Sequence, residues 1–404
     1  MLDDADHLSV LAAECRRVIA FAAAARDPAG GFGRLDEDGR LDPASPVETY
    51  LTGRMTHVFA LGHLLGLPGS EALAGHGVEA LAGLLRDPGY DGWYAAVRPG
   101  DDGKKAYEHA FVVLGASSAA VAGLPGAAGL LAAALAVQER YFWRADDGMV
   151  VEEWDRPWRT LDPYRGVNAN MHTVEAYLAA ADVTGDARWR ERALRITERV
   201  VHGFARGNGW MLPEHFDASW TPRPDYNRDQ PAHQFRPYGV TIGHLLEWSR
   251  LALDVRAALG EAAPDWLLPD AAGLFATALE RGWAVDGADG FVYTIDWDGR
   301  PVVRQRMHWV VAEALAAAAT LYRITGDASY DEAYARTWAY AERYLIDRDR
   351  GSWRHELDER NRPAATVWPG KPDAYHVVQA TLVPLLPAAP TLATALSRGL
   401  LTAG

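Results

Sequence analysis

A glycine followed by a large apolar residue recurs in short polar segments: Gly31-Phe32, Gly92-Trp93, Gly148-Met149, Gly209-Trp210, Gly290-Phe291 and, one residue looser, Gly351-Ser352-Trp353. Gly31 to Gly92, Gly148 to Gly209 and Gly290 to Gly351 are each 61 residues apart. A regular period commits a chain to a repeat architecture, because a single unit cannot bury its apolar face alone and must stack it on its neighbours. Gly31 to Leu41 and Gly290 to Pro301 carry strand-like residues that run into Asp-Gly turns, so the recurring segments read as small hairpins. Each period then has room for one hairpin and two helices.

The intervening segments support that count. Met55–Leu67, Ala106–Val121, Met171–Thr184, Gly243–Leu259, Trp309–Thr325 and His376–Leu386 are rich in Ala, Leu and Val and apolar nearly all round, as expected of helices enclosed by others. A second set, including Ala187–Val201 and Ser329–Tyr344, is charged and amphipathic and fits an outer layer. Both are preceded by the same turn, Val183-Thr-Gly-Asp186 and Ile324-Thr-Gly-Asp327, in which Gly closes one helix and Asp opens the next. Six such units predict an all-α, closed (α/α)6 barrel with short β-hairpins on the loop side, forming one catalytic domain over residues 1–404. An open α-solenoid is the structural alternative. The long step from Gly209 to Gly290 reflects an insertion around Asp217 to Arg236, rich in Pro and charge, of the kind that serves as a lid.

Composition narrows the function. A net charge of −14 without a basic block argues against nucleic acid, although Arg54, Arg236 and Lys371 offer a local anion site. The most apolar stretch, Leu124–Val137, is short and broken by Pro125, Gly126 and Gly129, so no membrane segment is expected. The acidic start, Met-Leu-Asp-Asp-Ala-Asp, is unlike a secretory signal, and the single Cys15 excludes an internal disulfide; both point to the cytoplasm. The sequence is silent on oligomeric state, and a homo-oligomer stays open.

Polar residues fall where apolar inner helices should avoid them, just after the hairpins: Arg54, then Tyr107 and His109, Asn168 and His172, His244 and Glu247, His308, Trp309 and Glu313, and His376. All belong at one end of the barrel, and desolvating so many such groups without partners is costly, so together they mark a site. His376 follows Trp368-Pro-Gly-Lys-Pro-Asp, where Asp373 is expected near a helix N-cap; in the first turn its ring stays neutral near physiological pH and can accept a proton. The pairs Asn168/His172 and His244/Glu247 share helix faces, which predicts that Glu247 orients His244. Ion pairing of Glu247 and Glu313 with Arg250 is the alternative. Tyr107, Trp309 and Trp368 offer flat surfaces for sugar rings. With no His-Glu-x-x-His pattern, neither metal nor cofactor is expected.

The series Gly53-Arg54, Tyr107-Glu-His-Ala-Phe111, Asn168-Ala-Asn-Met-His172-x-x-Glu175, Gly243-His244-x-x-Glu247-Trp248, His308-Trp309-x-x-Ala312-Glu313 and Gly370-Lys-Pro-Asp-Ala-Tyr-His376 resembles the N-acylglucosamine 2-epimerase superfamily over nearly the whole chain. The Lys-Pro-Asp-x-Tyr-His ending is similar to its D-mannose isomerase and sulfoquinovose isomerase branch, whereas cellobiose 2-epimerases carry a double Trp where this chain has His308-Trp309. The resemblance implies a monosaccharide substrate and metal-independent aldose–ketose isomerisation of D-mannose and D-fructose, with D-lyxose and D-xylulose as further candidates, through a cis-enediol. It implies His376 as the base moving hydrogen between C2 and C1, His244 as the ring-opening group tuned by Glu247, and Arg54, Asn168 and His172 as groups holding O1 and O2, the two histidines being interchangeable in role. Sulfoquinovose isomerisation and 2-epimerisation are the alternatives within the family. Outside it stand a glycoside hydrolase, which would use paired carboxylic acids, and a non-enzymatic sugar-binding or scaffold protein.

Overall fold

The computed structural model describes residues 1–372 and 374–401. Its inner helices are α2 (Thr49–Leu64), α4 (Ala106–Val121), α6 (Val167–Thr184), α8 (Ile242–Leu259), α10 (His308–Thr325) and α12 (Tyr375–Leu382). Each packs on the next, and α12 returns to α2, so the ring is closed and the protein is an (α/α)6 barrel rather than an open solenoid. The outer layer contains α3 (Ser70–Ala82), α5 (Ala127–Val137), α7 (Ala187–Thr197), α9 (Leu267–Gly282) and α11 (Ala328–Tyr340). Its sixth member is α1 (Ala5–Ala22), which packs on α12 from the opposite end of the sequence. A short α13 (Leu392–Ser397) lies against α2, α4 and α6.

Burial follows the sequence pattern. Every residue of α2 from Thr49 to Gly62 is buried, whereas the charged α7 buries only Trp189, Ala193, Ile196 and Thr197. The duplicated turns behave as predicted: Gly185 and Gly326 end α6 and α10 with φ of 71° and 69°, and Asp186 and Asp327 cap the helices that follow, accepting from the amides of Arg188 and Ser329. No helix among the described residues is long and apolar enough to cross a membrane.

The hairpins stitch neighbouring units together. The first amide of each inner helix donates to a carbonyl in the hairpin of the next unit: Thr49 to Ala95, Ala106 to Glu152, Val167 to Glu214, Ile242 to Tyr293 and His308 to His355, at 2.8–3.2 Å. These bonds satisfy amides that a helix start leaves without an internal partner. The last link joins the ends of the sequence, with the Lys371 amide donating to the Leu35 carbonyl at 2.9 Å and the Gly370 amide to Glu37 Oε1 at 3.0 Å.

Glycine lets α2 and α4 cross with backbone against backbone. A Cβ on Gly53 of α2 would lie 2.5 Å from the Phe111 carbonyl oxygen of α4, and one on Gly115 would lie 2.7 Å from the Gly53 oxygen. Backbone faces backbone here, and no side chain can yield. Gly53→Ala is therefore expected to cost about 1–3 kcal/mol in urea unfolding. A wild-type unfolding midpoint in that variant would show that the two helices can separate without loss.

Candidate active site

The inner helices deliver their polar residues within the first two turns, all at one mouth of the barrel. The sixth residues of α2, α4, α6, α8 and α10 are Arg54, Phe111, His172, Glu247 and Glu313. Arg54, His172 and Glu247, with Tyr107, Asn168, His244, Trp309 and His376, line a common cavity open to solvent on one side. His308 and Trp368 line it as well.

Two histidines in this cavity are each held at Nδ1 by a buried carboxylate. His376 lies 2.8 Å from Glu313 Oε1, and His244 lies 2.9 Å from Glu214 Oε1. A carboxylate acceptor places the proton on Nδ1 and assigns proton acceptance to Nε2. Trp309 adjoins both, its ring 5.4 Å from that of His244 and 5.6 Å from that of His376. Burial alone would raise the Glu313 carboxyl, but the Arg250 guanidinium, 2.9 Å from Oε2, and the bond from His376 outweigh it and hold the group below its usual range.

The predicted partner of His244 is corrected. Glu247 shares a helix face with His244, but Glu214 reaches the ring first from the neighbouring hairpin. Glu247 turns instead into the layer below, where Oε1 is 3.7 Å from His172 Nδ1 and 3.8 Å from Arg250 Nη2. Burial, and then the negative charge of Glu313, push Glu247 well above the usual carboxylate range. Burial and the nearby Arg54 push His172 well below its usual value.

Other predicted residues fall out as follows. Arg54 donates to Tyr107 Oη at 2.9 Å and lies over the rings of Phe111 and Tyr375 at 4.4 and 4.6 Å. Trp368 faces Phe235 of the insertion, ring centroids 5.3 Å apart, and Gln234 donates to the Val367 carbonyl, so the insertion roofs the cavity as a lid should. His109 is not part of the site. It sits behind the wall, Nδ1 on the Lys105 carbonyl at 2.6 Å and Nε2 accepting from the Trp93 amide at 3.1 Å. Glu313 supports His376 from below instead of lining the cavity. Asp373 lies outside the described residues, and Ala374, without a side-chain cap, precedes α12. The suggested anion site does not form: Lys371 pairs with Asp347 at 2.8 Å, and Arg236 lies 3.5 Å from Glu153 and 3.9 Å from Glu152.

Residues missed from the sequence are Glu214, Tyr293 and His355, together with Gln234 and Phe235 of the lid. The first three share a signal that could have found them. They occupy equivalent hairpin positions, each giving its carbonyl to the start of the preceding inner helix, and the His355 ring stacks on that of His308 at 3.7 Å.

Glu247, Glu313 and His376 bring ligand-type atoms within 4.8 Å of one another. Arg250 already supplies the positive charge between the two carboxyls, and both Glu313 oxygens are engaged, by Arg250 and by His376. The set therefore fits an internally balanced cluster better than a divalent-ion site.

Residues 30–380 match the N-acylglucosamine 2-epimerase (GlcNAc 2-epimerase) family. The chain is 54% identical to a D-mannose isomerase of Thermobifida fusca, covering 97% of this chain and 98% of that one. It is 50% identical to a D-mannose isomerase of Pseudomonas cannabina pv. alisalensis, covering 97% and 95%. A crystal structure of a D-mannose isomerase superposes with a TM-score of 0.86 at 30% identity, over 93% of this chain and 97% of that one. The cellobiose 2-epimerase of Spirochaeta thermophila DSM 6192, at 22% identity over 94% and 96% of the two chains and a TM-score of 0.80, shares the fold. Similarity over nearly the full length, together with a barrel mouth carrying the expected histidines, places this chain in the N-acylglucosamine 2-epimerase family.

Proposed function

We propose that this protein is an aldose–ketose isomerase that interconverts D-mannose and D-fructose, with residues 1–404 acting as one catalytic unit. The observation that carries the reading is the pair of carboxylate-held histidines, His244 and His376, both beside Trp309 in one cavity at the barrel mouth. The high identity to D-mannose isomerases over almost the whole chain supports the same substrate. An acidic chain with one cysteine acting on a free sugar suits the cytoplasm.

In this mechanism His244 moves the proton between O1 and the ring oxygen that opens the pyranose. His376 Nε2 then removes the proton from C2; the C–H electron pair forms the C1=C2 bond, the C1=O1 π pair moves onto O1, and O1 takes a proton from His244, giving the cis-enediol. His244 takes the O2 proton back as the O–H pair forms the C2 carbonyl, and the C1=C2 π pair takes up at C1 the proton that His376 returns on the same face. No atom is gained or lost. Arg54, Asn168 and His172 stabilise the charge that develops on O1 and O2. Among the described residues lining the cavity, Arg54 is the sole Lys or Arg, and it is already engaged with Tyr107, which favours a neutral hexose over a sulfonated one.

Mannose incubated with the enzyme in heavy water and EDTA is expected to yield fructose bearing deuterium at C1 in one configuration, with glucose minor or absent. Glucose labelled at C2 as the dominant early product would identify an epimerase and overturn the assignment. Faster turnover of sulfoquinovose than of mannose would overturn the choice of a neutral substrate.

A further inference from the structure

A second cavity lies behind the site, at the other mouth of the barrel. Its walls come from the later turns of α4, α6 and α8, and the segment from Pro387 to Thr394 covers it. Arg250 belongs to both regions. Its Nε donates to Glu313 Oε2 at 2.9 Å on the side of the site, and its Nη1 donates to Asp254 Oδ2 at 3.1 Å on the side of the rear cavity. Arg250 is nearly fully buried, whereas the Asp254 side chain keeps 22% of its surface exposed and lines the rear cavity.

We propose that Asp254 is a positioning residue for the reaction, tuning the proton affinity of His376 from the rear cavity through Arg250 and Glu313. The inference rests on the reading of His376 as the base. The guanidinium that holds Glu313 also serves Asp254, with Glu247 3.8 Å from its Nη2, so what Asp254 takes of its charge is withheld from Glu313, which accepts from His376 Nδ1. The other charged groups facing Asp254 have their own partners. From α6, Glu175 accepts from Tyr375 Oη and from Gln379 Nε2, and Asp182 Oδ2 accepts from the Thr391 amide and hydroxyl. From α10, Arg323 donates to the carbonyls of Val383 and Pro384. From α2, burial pushes His57 down to about 3, so it stays neutral.

The sign of the effect is fixed. Removing the negative charge of Asp254 leaves the field at His376 more positive, which disfavours the imidazolium. In D254N the titration midpoint of the His376 imidazole, followed by ¹⁵N NMR and assigned with H376Q, is expected to fall by about half a unit or more. The acidic limb of kcat/KM should move down with it. D254E should restore both, and in an R250Q background the D254N shift should fall to less than half, because the relay is broken. An unmoved imidazole midpoint in a folded D254N variant overturns the proposal, as does an upward one. Should R250Q fail to fold, the D254N and D254E pair decides alone. A midpoint that moves while the kcat/KM limb stays fixed would instead refute His376 as the base, so the two failures are distinguishable.

Discussion

Replacing His376 by alanine is expected to lower kcat/KM for mannose by about a hundred- to ten-thousand-fold, the range that a positioned proton-transfer group supplies. The loss should lie in chemistry and leave the fold intact, because Glu313, the group left behind, remains paired with Arg250. Thermal melting close to wild type with activity near background is the expected combination. Near-normal turnover in H376A would show that this histidine is structural. If His376 removes the C2 proton, heavy-water label at C1 should also disappear from the variant.

His244→Ala should cost at least about a hundred-fold for the same reason, but at a different step. If His244 opens the ring, its loss makes ring opening limiting, so the kinetic isotope effect from mannose deuterated at C2 should shrink toward unity. Should the effect instead grow in H244A, the two histidines have exchanged roles. Glu214→Gln should be milder than H244A, since the amide still accepts at Nδ1 without the charge, and it should exceed any effect of Glu247→Gln on the His244 step. A larger loss of that step in Glu247→Gln would restore the helix-face pairing that the geometry argues against.

Much of this site is legible in the sequence because its residues repeat at one helical position. Arg54, His172, Glu247 and Glu313 are sixth in their helices, and a polar side chain in that place interrupts an otherwise apolar run. The six-fold count is legible for the same reason, from local periodicity. The partners are less so. Glu214 lies thirty positions before His244, just ahead of a two-residue strand and across the long insertion, and no spacing rule ties such a hairpin residue to the helix that follows it. The register of units is likewise hidden. Counting hairpin, inner helix and outer helix leaves α12 without a partner, and only the tertiary fold shows α1 filling that place. His109 misleads because sequence places it beside Tyr107, while the helix turns it outward onto the Trp93 amide.

That α1 completes the sixth unit bears on how the protein comes into being on the ribosome. The Trp353 indole donates to Glu14 Oε1 at 2.7 Å, and the Met1 amino group pairs with Asp331 at 2.8 Å, so α1 finds its partners only after residues more than three hundred positions later have been made. Until then the nascent chain has an open arc whose first and last apolar faces are uncovered. His376 lies on α12, after the other polar residues of the site in chain order, so a chain that stops short of α12 lacks both the ring closure and the base proposed for C2.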